Sequence, residues 1–131
     1  MLETVADRPP EGVPMVRVIA MPADTNVNGD IFGGWLMSQM DLAAGNTASR
    51  VSRGRCVTVS VDAMSFLRPV KVGDEVSVYC ELLSSGRTSM KIAVEAWRRA
   101  RVEEEEYRVT KAVFTFVAID SEGKPRPIKE N

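Results

Sequence analysis

Residues 30–54, DIFGGWLMSQMDLAAGNTASRVSRG, decide how the rest of this 131-residue chain must be arranged. Leu36, Met37, Met40, Ala43, Ala44, Ala48 and Val51 recur at steps of three and four, the spacing of one face of an α-helix. Asp30 is a candidate N-cap. Gly54, directly after Arg53, is a natural stop. The helix so defined is about 20 residues long and unusually apolar, so most of it is expected to be buried.

Outward from this helix the pattern changes to a period of two. Upstream, residues 13–21 are largely apolar and β-branched and read as a strand that Pro22 ends. Residues 22–30 (PADTNVNGD) are dense in turn formers and read as a loop. Downstream, Val57, Val59, Val61 and Ala63 alternate with polar residues. The apolar parity then flips to Met64 and Phe66, which predicts a β-bulge near Ala63. Val76, Val78, Cys80 and Leu82 alternate next, and Ser84-Ser85-Gly86 predicts a hairpin turn. Met90, Ile92, Val94 and Ala96 form the following strand, residues 103–106 a charged turn, and Ala112, Phe114, Phe116 and Ala118 the last strand. Short connections favour antiparallel pairing. One buried helix against such a sheet is an α+β architecture. The other face of that sheet carries Lys91, Glu95 and Lys111 but also Trp97 and Val113, so part of it is expected to be an oligomer surface.

The length suits one domain, expected over residues 9–124, with residues 1–8 and 125–131 as flexible termini. Seventeen basic and eighteen acidic residues leave a net charge of −1. That balance argues for neither a nucleic-acid partner nor an anionic membrane. No apolar run is long enough to span a membrane. The polar start of the chain lacks the features of a signal peptide, and the two cysteines, Cys56 and Cys80, have no paired or zinc-like spacing. A reducing, cytoplasmic setting follows as the expectation. There is no histidine. This removes Ser-His-Asp and Cys-His catalysis and His-ligated zinc. Carboxylate, amide, hydroxyl and backbone groups must then carry any chemistry.

Such groups are concentrated between Asp24 and Asp41. At about 100° per residue, Asp41 lies some 40° from Met37 and 20° from Ala48, on the apolar stripe of the helix. A carboxylate there is either satisfied by a nearby hydroxyl or amide, or functional. Gly33-Gly34 open the helix, where backbone N–H groups lack partners. They serve either close packing or the reception of an oxyanion. Asn26 and Asn28 either build the loop or hold a substrate carbonyl or water. Gly33 and Asp41 are eight residues apart, about 12 Å along a helix, too far for one carbonyl to touch both. A carboxylate of one subunit beside the helix N-terminus of another would solve this, which predicts at least a dimer.

The segment MPADTNVNGDIFGGWLMSQMD, followed by VTVSVDAMSFLRPVKVGDEV, resembles the hotdog-fold acyl-CoA thioesterases. The likeness is strongest to the bacterial YciA type, related to the animal cytosolic acyl-CoA hydrolases. It covers roughly residues 13–125. It implies a curved antiparallel β-sheet wrapped around a long central helix, dimers sharing one larger sheet, and commonly trimers of dimers. It implies hydrolysis of acyl-CoA to a free fatty acid and CoA, with no cofactor beyond the CoA of the substrate and no metal. By the motif, Asp41 matches the catalytic helix carboxylate. Gly33 matches the glycine whose N–H polarises the thioester carbonyl, and Asn26 the loop asparagine of related enzymes. Many relatives have His where Phe32 stands, so any role for that position is void here.

Coenzyme A brings phosphates, which favour Arg, Lys, hydroxyls or free N–H groups. Arg87-Thr88-Ser89 form one candidate cluster. Arg68 and Arg55 are further candidates, each otherwise a solvated cation. Gly34 and the backbone around Ser65 are candidates for the pantetheine arm. Asp41 would act as general base or as nucleophile. Two other functions stay in view. One is a non-catalytic acyl-CoA sensor, which would need a DNA-binding segment. The other is a hydratase, which usually relies on a histidine.

Overall fold

The computed structural model describes residues 8–62 and 64–128. The described residues form one α-helix and a five-stranded antiparallel sheet. The strands are β1 (Val16–Ile19), β2 (Cys56–Asp62), β3 (Glu75–Ser85), β4 (Ser89–Arg99) and β5 (Glu106–Ala118), and the helix α1 is Gly33–Ser52. The order across the sheet is β1-β3-β4-β5-β2. Every strand packs against α1, so the sheet curls around the helix, as the resemblance implied.

The core explains the curl. Met40, Ala43, Ala44 and Ala48 on α1 are fully buried, as are Met90, Ile92, Val94 and Ala96 of β4. Small side chains on the helix let the sheet approach closely. Gly45 lets it come nearer still, since a Cβ there would already touch the Phe116 ring at 3.6 Å. Phe114 and Phe116 fill the floor as a stacked pair 6.5 Å apart.

The ends of α1 differ in detail from expectation. Asp30 is not its N-cap. Phe32 is, with extended backbone and no side-chain cap, because Ile31 and Phe32 are still bound to Val70 and Asp24 by backbone hydrogen bonds. The Asp30 carboxylate instead pairs with Lys71 at 2.8 Å. The helix stops where expected, but Arg53 takes the left-handed conformation (φ 58°). Gly54 is needed for space, since a Cβ there would lie 2.5 Å from the Arg126 guanidinium.

The expected bulge near Ala63 is displaced. β2 ends at Asp62, Ala63 lies outside the described residues, and 64–70 run on as a loop. The irregularity falls at Val59, between the Thr58–Phe116 and Ser60–Thr115 pairs. It breaks the expected one-face alternation: Val61 packs on the core with Cys56, whereas Val57 and Val59 are exposed. Nor do residues 125–128 fray. Ile119 bridges to Pro125, the Ile128 N–H donates to the Arg87 carbonyl, and Ile128 packs on the core. The rest of the expected flexible termini, 1–7 and 129–131, lies outside the described residues.

Candidate active site

Asn26 builds the loop that leads into α1. Its Oδ1 accepts the N–H groups of Asn28 (2.8 Å) and Asp30 (3.1 Å), an Asx-type turn completed by Gly29 at φ +81°. The turn uses the amide oxygen and leaves the two Nδ2 hydrogens as the group's donors toward anything outside. Asn28 contributes its backbone to the same turn.

Gly33 and Gly34 occupy the first turn of α1, both exposed. Their N–H groups are among the first of the helix and have no acceptor within it. Open space surrounds the Cβ position of Gly34, and only the Phe66 ring lies within 4 Å of that of Gly33. Close packing therefore does not account for Gly34. A cleft of about 200 Å³ opens at this helix end, lined by Ile31, Phe32, Gly33, Leu36, Phe66 and Arg68 among others. It is mostly apolar, with Arg68 at its edge. The Arg68 Nη1 donates to the Arg108 carbonyl at 2.6 Å, and its guanidinium lies 5.4 Å from the centre of the Tyr107 ring.

Asp41 is outside this cleft. The expectation that it is buried does not hold within one chain, where it is exposed. The same sector of the helix is covered further along, where Ala48 is fully buried and Ser52 lies beneath Arg126. At Asp41 the sheet has reached its edge, β2, and no further strand lies beyond it among the described residues. The carboxylate is nevertheless held: the Thr58 hydroxyl donates to Oδ1 at 2.6 Å. Met37 and Leu42 on α1 and Val57 and Val59 on β2, all 39–64% exposed, are large apolar residues that flank the pair in the chain. Thr58 was missed in the sequence because it reads there as an outward polar residue of an alternating strand.

The candidate CoA ligands fall into two groups. Ser65 and Arg68 adjoin the N-terminal part of β5, where the Ser65 carbonyl accepts the Thr110 hydroxyl at 2.7 Å. Ser65 lies in the loop after β2 and not in a bulge, and its carbonyl already accepts one hydrogen bond. Arg87, Thr88 and Ser89 sit at the hairpin whose first β4 residue pairs with Val117. Arg55 lies at the same end, its Nη1 donating to the carbonyls of Asp120 (3.4 Å) and Ser121 (3.5 Å). Nine residues of β5 separate Arg108 from Val117, about 30 Å of strand. Within one chain these groups cannot hold the same part of one ligand.

The site is thus split between two places on one subunit. Residues 28–105 match the family model described as the thioesterase superfamily. The chain belongs to the thioesterase superfamily. Among curated members of known name, it is 49% identical over 128 residues to the acyl-CoA thioester hydrolase YciA of Salmonella typhimurium, covering 95% of this chain and 96% of that one. It superposes on a hexameric thioesterase of Yersinia pestis with a TM-score of 0.87 at 51% identity, covering 93% and 99% of the two chains. It also superposes on a hexameric hotdog-fold thioesterase of Campylobacter jejuni, with a TM-score of 0.84 at 40% identity over 90% and 91%. The fold is the hotdog, and thioesterase superfamily members of this kind match along nearly the whole chain.

Proposed function

We propose that this protein is an acyl-CoA thioesterase, using water to split acyl-CoA into a carboxylic acid and the CoA thiol. One observation carries the reading within this family: a carboxylate, Asp41, held at a fixed angle on an apolar helix face beside the open edge strand β2. A second copy docking on that face would exclude water around Asp41, and electrostatic interactions strengthen in such a place. It would also bring its own helix N-terminus to the carboxylate, which the 12 Å helix separation denies to a single chain.

In this assembly Gly33 of one subunit donates its N–H to the thioester oxygen, with the Asn26 amide beside it. Asp41 of the other removes a proton from the attacking water, or attacks the carbonyl carbon itself. When Asp41 acts as base, the water oxygen bonds to the carbonyl carbon, the C–S bond breaks, and the sulfur takes the proton as CoA thiol. When Asp41 attacks, the C–S bond breaks as an acyl–Asp41 anhydride forms, and water then hydrolyses that anhydride, returning the carboxylate and supplying the thiol's proton. One oxyanion donor contributes about 3–4 kcal/mol to such a barrier. The apolar cleft beside Gly33 fits acyl or pantetheine methylenes. Arg68 and Ser65 on one side, and Arg55, Arg87, Thr88 and Ser89 on the other, serve as polar ligands of one CoA only across subunits. Gly34 keeps the helix start open.

The working form is a homohexamer, a trimer of dimers, in the cytoplasm, where acyl-CoA coexists with free thiols such as Cys56 and Cys80. No metal or organic cofactor takes part. The test is release of CoA thiol from short, medium and long acyl-CoAs. Wild-type protein is expected to turn over at least one of them. Asp41→Asn is expected to lose about 100-fold or more in kcat while still binding CoA. An Asp41→Asn enzyme with substantial turnover would remove Asp41 from the chemistry.

A further inference from the structure

We infer that the cleft beside Gly33 holds the acyl chain of the substrate, and that its floor, Leu36 and Val109, ends productive binding at about six to eight carbons. The inference rests on the thioesterase reading given above and adds to it the length of chain that the site accepts. The cleft has a mouth and a closed end. Phe32, Gly33 and Phe66 at the mouth are exposed, whereas Ile31, Leu36, Val70 and Val109 are buried. A ligand entering beside the Gly33 N–H therefore runs onto a floor of aliphatic side chains. The volume is about 200 Å³. An apolar cavity of about 150 Å³ accepts benzene, so a space of this size takes roughly six to eight carbons. Pantetheine fits it poorly. Its amides need partners, and the N–H groups of Ile31, Phe32 and Leu36 already donate to the carbonyls of Val70, Asp24 and Phe32. Burying an amide without a partner costs free energy, whereas burying a methylene gains it.

Two local features build the slot. A β-bulge sets the floor. Ala96 pairs with Thr110 but Trp97 with Arg108, so Val109 is the extra residue on β5. Unbroken alternation would turn Val109 to the outer face of the sheet, with the exposed Lys111. The bulge turns it inward instead, where it is fully buried at the cleft. Phe66 makes the wall. The Ser65 carbonyl accepts the Thr110 hydroxyl at 2.7 Å, and the Leu67 N–H donates to the Val109 carbonyl at 2.7 Å. Both neighbours of Phe66 are thereby tied to β5, and the ring between them faces the helix start. A Cβ on Gly33 would lie 3.5 Å from that ring. Gly33, having none, leaves open the gap through which a chain enters. The floor residues are buried within one chain, so a second copy covering the mouth leaves them in place.

The test measures kcat/KM for acetyl-, butyryl-, hexanoyl-, octanoyl-, dodecanoyl- and palmitoyl-CoA, by thiol release from the assembled enzyme. The value is expected to rise about two- to fourfold per added methylene up to hexanoyl- or octanoyl-CoA, and then to level off or fall. In the variants the readout is a ratio between two chain lengths, which cancels general damage. Val109→Leu raises the floor and is expected to lower the octanoyl-to-butyryl ratio roughly tenfold or more. Val109→Ala deepens the slot and is expected to raise the dodecanoyl-to-octanoyl ratio about threefold or more. Phe66→Ala removes the wall while sparing the buried floor, and is expected to lower the octanoyl-to-acetyl ratio about tenfold. Thermal melting and sedimentation of each variant check fold and assembly. If no acyl-CoA is turned over, the thioesterase reading fails and this inference with it. If kcat/KM climbs all the way to palmitoyl-CoA, or if Val109→Leu and Phe66→Ala both leave their ratios within about twofold of wild type, this inference fails and the thioesterase reading stands. If Val109→Leu leaves its ratio unmoved but weakens inhibition by free CoA, which has no acyl chain, the cleft holds pantetheine and the inference is overturned.

Discussion

At the scale of single residues, surroundings decide what ordinary side chains do. Asp41 and Thr58 are both of types common on protein surfaces, and both are exposed in the subunit. What distinguishes them is the hydrogen bond that joins them on an otherwise apolar face. Cys80 shows the same dependence for a thiol. Burial pushes it up to about 11, while a hydrogen bond with Thr47 pulls weakly the other way. Near pH 8 only about 0.1% of such a thiol is thiolate, the reactive form. In a Cys56→Ser protein, Cys80 is therefore expected to react with a thiol-exchange reagent at least tenfold more slowly when folded than when denatured. The rate should climb about tenfold per pH unit until it nears 11, followed by stopped-flow absorbance. Equal rates in the folded and denatured protein would contradict the burial. In that variant, slow labelling also keeps Cys80 out of a CoA-release assay.

At the scale of elements, the two ends of α1 do different work. Its N-terminus is left open by Gly33 and Gly34, whereas its C-terminus is closed by a distant arginine. Arg126 donates to the carbonyls of Ser52 (3.1 Å), Ile119 (2.8 Å) and Arg55 (3.0 Å). It thereby satisfies a terminal helix carbonyl and ties residues 119–128 to the helix end. Arg126→Ala is expected to cost about 1–3 kcal/mol, read as a lower urea midpoint. Gly54→Ala should cost a similar amount, because its new methyl must displace the same guanidinium. Neither residue is near Asp41, so kcat is expected to hold below the unfolding transition. An unchanged midpoint for Arg126→Ala would show that water caps the helix equally well.

At the scale of the whole molecule, the sheet has an unpaired edge, β2, bordered by exposed Val57, Val59, Met37 and Leu42. An open strand with an apolar border invites another chain. If this face joins two subunits, a charge placed in it must break the assembly and the active site together. Leu42→Glu is expected to sediment as smaller species, keep its circular-dichroism spectrum, and lose at least tenfold in turnover. A Leu42→Glu protein that stays assembled and active would place the subunit contact elsewhere. The opposite face of the sheet is more polar. There Trp97 is buried, donating to Glu95 at 3.0 Å, and Glu95 also meets Arg108 at 3.5 Å. An aromatic that looked like an oligomer contact is thus covered within the subunit.

The helix, the strands and their order were legible because each is written in local periodicity. A helix stripe recurs at three and four and a strand alternates, whatever else the chain does. The likeness of residues 21–41 to known thioesterases likewise singled out Asp41, Gly33 and Asn26. Three things were not legible, and one physical reason covers them. The helix start at Gly33 instead of Asp30, the bulge at Val59 instead of Ala63, and the Thr58–Asp41 bond all depend on neighbours far along the chain. Val70, Phe116 and the turn of helix opposite β2 decide them, and no local pattern records such partners. For the same reason the sequence could place Asp41 on an apolar stripe but could not show where the sheet ends beside it. That edge is a property of the closed fold, and it is what leaves the carboxylate facing outward.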